Sequence, residues 1–107
     1  MNAPKVDFVS FVSSLAAGAA AALRQAEDLR SGKVQPQEES DGAGGTVPGK
    51  VEEQVQGALA VARQLVDTLV MLEEKTRGNL SDAESEVIRT SLTSLRIAYV
   101  RAASPQN

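Results

Sequence analysis

The chain of 107 residues has room for one domain at most, carries a formal net charge of −3 and contains neither cysteine nor histidine. Disulfides, thiolate metal sites and the commonest general base are thereby excluded, and the acidic balance argues against a nucleic-acid binder, which needs clustered Lys and Arg against phosphates. Only Phe8, Phe11 and Tyr99 are aromatic, so any core must be built from Ala, Val and Leu.

Residues 8–23 form the first predicted helix, with Asp7 as N-cap and Phe8, Phe11, Val12, Leu15, Ala19, Ala22 and Leu23 recurring at helical spacing. Residues 26–30 are read as a possible prolongation with Gly32 as its stop. Three readings compete for the run. A signal peptide is disfavoured because Asp7 stands where positive charge belongs and the run is Ala-rich rather than Leu-rich. A membrane span is disfavoured because 16 residues reach only about 24 Å against a hydrocarbon core of about 30 Å. The reading kept is a packing helix, whose line of small residues Ser14, Gly18 and Ala22 admits a close neighbour.

Residues 31–50 are rich in Gly and Pro with almost nothing to bury, and are predicted as a flexible linker. A second helix is predicted over 51–76, with Glu52 and Glu53 in its first turn and Val55, Ala58, Leu59, Ala62, Leu65, Val66, Leu69 and Leu72 on its buried face. Val61, Val70 and Met71 fall partly off that face and imply a second apolar contact. Arg63 and Asp67 have the spacing of a surface pair, and Gly57 is read as a mild defect that marks a close crossing.

A stop and a restart follow. Lys75 and Arg77 place positive charge beside the last carbonyls, and Gly78, followed by Asn79, can take the left-handed conformation that ends a helix. Ser81 and Glu84 then form a Ser-x-x-Glu capping box for a third helix over 82–101, so that the two helices fold back antiparallel across about three residues. In that construction Leu92 faces Leu65 and Val66, Leu95 faces Ala62, Tyr99 falls near Ala58 and Arg89 can bridge to Asp67. Residues 104–107 read as a frayed tail.

No catalytic constellation accompanies these elements. The acidic pairs, such as Glu52-Glu53 and Glu73-Glu74, are adjacent on helices and do not face each other across a cleft. Serine has no histidine to activate it, and no Ser-x-x-Lys is present. A glycine cluster at 42–45 lacks the Gly-Lys-Ser/Thr of a phosphate loop, and Asp82, Glu84 and Glu86 are better read as helix-start charges than as a magnesium site. We therefore expect no enzyme activity, no cofactor and no metal.

The run 62–80, which closes on Lys75-Thr76-Arg77-Gly78-Asn79-Leu80, resembles a bacterial family, domain of unknown function 1844. So do Leu95-Arg96-Ile97-Ala98-Tyr99 and the opening Phe8-Val9-Ser10-Phe11-Val12-Ser13-Ser14-Leu15-Ala16. The family pattern joins its first two helices by a shorter Pro and Gly turn, from which residues 24–50 depart, leaving helix 1 to pack on its own hairpin or on a neighbour's. The resemblance implies a small, soluble, bacterial helical protein without an assigned activity.

The expectation is an all-α protein: an N-terminal helix (1–30), a linker (31–50), a helical hairpin (51–103) and a tail (104–107), completed by homo-oligomerisation. Phe8, Phe11, Val12, Leu15, Gly18, Ala22, Val61, Val70 and Met71 are the candidate interface, and Lys75, Gly78, Asn79, Ser81 and Glu84 the structural turn. The expected role is a cytoplasmic assembly or adaptor module with an unidentified protein partner. The alternatives are insertion of helix 1 into a membrane surface and, behind it, an accessory factor of a nucleoprotein machine using Arg89, Arg96 and Arg101.

Overall fold

The computed structural model describes residues 7–33 and 48–104 and is all-α, with helices α1 (Phe8–Ser31), α2 (Pro48–Lys75) and α3 (Asp82–Ala103). Local chemistry sets each boundary. Asp7 is extended and its carboxylate accepts from the Ser10 amide at 2.8 Å, while the Ser10 hydroxyl accepts from the Asp7 amide at 3.4 Å. This reciprocal box satisfies two donors that the first turn leaves without helical partners. At the other end Gly32 has φ 81°, and the amides of Gly32 and Lys33 donate to the carbonyls of Leu29 and Asp28.

The expected linker is corrected at both ends. Ser31 is helical and Gly32 is a cap, while α2 begins at Pro48, three residues earlier than predicted. Proline lacks an amide hydrogen that the first helical position would not use, and its fixed φ suits that position, so Pro48 starts the helix rather than ending the linker. Glu52 and Glu53 therefore lie in the second turn. Residues 34–47, and 105–107 of the expected tail, are outside the described residues. Ser104 is not frayed: its amide donates to the Val100 carbonyl at 3.1 Å.

At 24 residues α1 is about 36 Å long, so the length argument against a membrane span does not hold. Both α1 and Val51–Lys75 are long and apolar enough to cross a membrane, a property that core helices share.

The core is aliphatic. Val12, Ala19, Leu23 and Leu29 from α1 meet Val55, Leu59, Ala62 and Leu69 from α2 and Ile88, Leu92 and Leu95 from α3. Leu69, Ile88, Val12 and Val55 are the largest fully buried side chains, each contributing about 1.5–3 kcal/mol by leaving water. Ala19, Ala26 and Ala62 are fully buried, which lets the helix axes approach closely.

Helix 1 thus packs on its own hairpin, against both partners. Gly18 lies against Leu65 and Arg30 against Glu52, so α1 and α2 run antiparallel. Arg30 also reaches the end of α3, which therefore runs the same way as α1. The connector has six residues, 76–81, rather than about three. Tyr99 shares a cleft with Arg63 and Val66, five and eight residues along α2 from Ala58. Neither Asp67 with Arg89 nor Arg63 with Asp67 comes within ion-pair distance; the pair formed among the described residues is Arg30 with Glu52.

Candidate interaction surfaces

The turn at one end of the bundle is architectural. Lys75 is the last residue of α2, and the Asn79 amide donates to the Thr76 carbonyl at 2.9 Å across a β-turn. Gly78, with φ 87°, occupies the third position of that turn, where a left-handed residue is required. It therefore shapes the connector, three residues beyond the helix it was expected to terminate. Ser81 caps α3 as predicted: its hydroxyl accepts from the Glu84 amide at 3.1 Å and its own amide donates to the Glu84 carboxylate at 2.8 Å. Among the described residues no three His, Cys, Asp or Glu side chains are grouped to hold a metal.

At the opposite end Arg30 ties all three helices together. Its Nη1 donates to the carbonyls of Ala102 at 2.6 Å and Ser104 at 3.1 Å, and its Nη2 donates to Glu52 at 3.0 Å. The guanidinium fork meets carbonyls that the end of α3 leaves without helical partners, and adds positive charge where the helix dipole is negative. The Arg30 side chain is 14% exposed. Hydrogen bonds from Gln56, and then from Arg30, hold the Glu52 carboxyl below its ordinary value of 4.5. The sequence carried no sign of this clamp, because an arginine in a last turn reads only as a dipole complement.

The expected interface residues divide. Val12 and Ala22 are core, and Phe8, Leu15 and Val70 are half-buried against it. Phe11, Gly18, Val61 and Met71 are exposed, with Phe11 at 48% and Val61 at 50%. Ile97 and Val100, absent from the expected interface, are more exposed than Phe11, Val61 or Met71.

The exposed members fall on two stripes. On α1, Phe11, Ser14, Gly18, Ala21 and Gln25 are all exposed and step by three and four residues in alternation. On α2, Gly57, Val61, Gln64, Thr68 and Met71 repeat the same steps, with Thr68 half-buried and the others exposed. This is the seven-residue period of a packing seam, and neither stripe contains a charge. A Cβ on Gly18 would stand 3.3 Å from Leu65, so the stripes flank the line where α1 meets α2. The crossing expected at Gly57 is not there, since nothing lies within 4 Å of a Cβ built on it.

A second surface lies between α2 and α3. Arg63, Val66, Arg96, Tyr99 and Val100 line an open cleft of about 380 Å³. Its floor is apolar and its cationic groups come from both helices.

No curated protein and no solved structure is detectably similar to the chain. The profile of the family described as Domain of unknown function (DUF1844) matches residues 5–101, and the chain belongs to that family.

Proposed function

We propose that the protein is a non-enzymatic assembly or adaptor module of the cytoplasm that acts through protein–protein contacts, with a second copy of the chain seated on the α1–α2 face. The observation that carries this reading is the pair of uncharged stripes with a seven-residue period, which the chain's own core leaves uncovered. A neutral face suits an identical neutral face, because two-fold pairing then brings no like charges together. Its extent fits a small, reversible contact: the stripes run over 11–25 and 57–71, about 21 Å of helix, and with about 20 Å across two helices give about 420 Å² per copy.

Light scattering on the full chain tests this against Phe11→Glu and Val61→Glu, which alter half-exposed side chains outside the core. The expected result is a dimer that either substitution converts to a monomer of unchanged helicity. A parent monomer at micromolar concentration, or a dimer indifferent to both substitutions, refutes the reading.

Membrane association is the second reading, favoured by the length and apolar composition of α1 and Val51–Lys75. Arg63 and Asp67 in the middle of α2 weigh against spanning, since charge at the bilayer centre costs about 3 kcal/mol per residue or more. Flotation of the full chain with liposomes, lost in Phe11→Glu, would favour it over the dimer.

A further inference from the structure

We infer that the α2–α3 cleft is a docking site for an acidic amphipathic helix of a partner protein, distinct from the face assigned to a second copy. The inference deepens the adaptor reading by naming what is recruited. Val66, Tyr99 and Val100 give the cleft its apolar lining, and Val100, at 65%, is the most exposed large apolar side chain among the described residues. Arg63 on α2 and Arg96 on α3 flank it from opposite walls. Among the described residues neither guanidinium has a carboxylate within 4 Å, and Asp67, one turn from Arg63, pairs with neither it nor Arg89. Arg89 lies two turns before Arg96 on α3 and extends the positive strip toward the turn.

The arrangement selects its occupant by charge and shape. Arg63 and Arg96 can each receive a carboxylate in a two-pronged hydrogen bond, while an apolar side chain between them covers Val66, Tyr99 and Val100. A helix with Leu at i, i+3 or i+4, and i+7, bordered by Glu or Asp, presents these groups together. A basic helix would set like charges against both arginines, so the site discriminates by repulsion as well as attraction. The α1–α2 stripes of a second copy fit poorly here, because they supply no carboxylate.

Tyr99 reports on the site directly, because the chain has one tyrosine and no tryptophan. The experiment titrates the full chain with two helical peptides of about 18 residues, five turns long, free of aromatic residues and sharing one Leu stripe. One is flanked by Glu and the other by Lys. The expected result is a saturable change in Tyr99 emission with the Glu peptide alone, weakened by salt and by about tenfold or more in Arg63→Ala/Arg96→Ala. Both arginines are exposed, so circular dichroism of the double variant should match the parent. Equal response to the two peptides, or unchanged affinity in the double variant, overturns the inference. So does a response to phosphatidylglycerol vesicles with none to the Glu peptide, which would assign the arginines to lipid headgroups. Light scattering on the same samples reads the dimer separately, so failure of the cleft and failure of the α1–α2 face are distinguishable.

Discussion

Replacing Arg30 by Met tests how the bundle is closed. Methionine keeps much of the apolar stem and removes the fork, so the change isolates the polar contacts from the packing. Two of them run from a mostly buried guanidinium to the Ala102 and Ser104 carbonyls, at 2.6 and 3.1 Å. Hydrogen bonds to charged groups contribute about 1.5–3 kcal/mol each. Water can reach a helix end once the donor is gone, which offsets part of that, so the expected loss for the two together is about 2 kcal/mol. In a domain of this size that lowers Tm by about 10 °C. Urea titration followed by far-ultraviolet circular dichroism should show an earlier midpoint at unchanged slope. Arg30→Lys should fall between the two, since an ammonium keeps the charge but cannot bridge both carbonyls in the same way. If Arg30→Met lies within about 0.5 kcal/mol of the parent, the clamp adds nothing and the bundle is closed by its aliphatic core alone.

The pH dependence follows from Glu52. Its folded carboxyl is held below the ordinary 4.5 by Gln56 and Arg30, so its contribution is fully present above that value and is lost as pH falls through the lower folded value. The urea midpoint measured from about pH 6 down to about pH 3 should therefore fall less steeply in Glu52→Gln than in the parent, and parallel curves would contradict the assignment. The two glycines of the hairpin predict opposite signs. Gly57→Ala sits in open space on an exposed helical turn and should stabilise by about 0.5–1 kcal/mol, read in the same titration. Gly78→Ala forces a side chain into φ 87° and should destabilise by about 1–2 kcal/mol, although it too meets no atom within 4 Å.

Much of the fold was legible because its signals are local. The Asp7 cap, the stop at Gly32 and the capping box of Ser81 and Glu84 each involve groups within a few residues of one another, so their geometry is implicit in the order of the chain. The buried face of α2 was legible for the same reason: Val55, Ala58, Leu59, Ala62 and Leu69 are buried at the positions that helical periodicity requires. The start of α2 was missed because Pro48 serves equally well in a loop or at a first helical position. The length of the connector was missed because it depends on where α2 ends, and the cleft that Tyr99 shares with Arg63 and Val66 depends on how α2 and α3 pack across it.

The candidate surfaces were legible only in part. Val61 and Met71 could be seen to lie off a single core stripe, but Phe11 could not be separated from Val12 and Ala22 while the angle at which α1 meets α2 was unknown. Ile97 and Val100 were passed over because an apolar residue in an amphipathic helix is read as buried until a neighbour fails to cover it. Sequence by itself determined three helices, their caps, an aliphatic core and the absence of histidine and cysteine chemistry, all consequences of composition or of interactions within about one helical turn. Tertiary structure alone decided that α1 closes on its own hairpin, that two neutral stripes stay uncovered, and that Arg30 joins partners 22 and 72 residues away. Contacts at such separations depend on how the helices pack in space, and no local pattern in the chain encodes that packing.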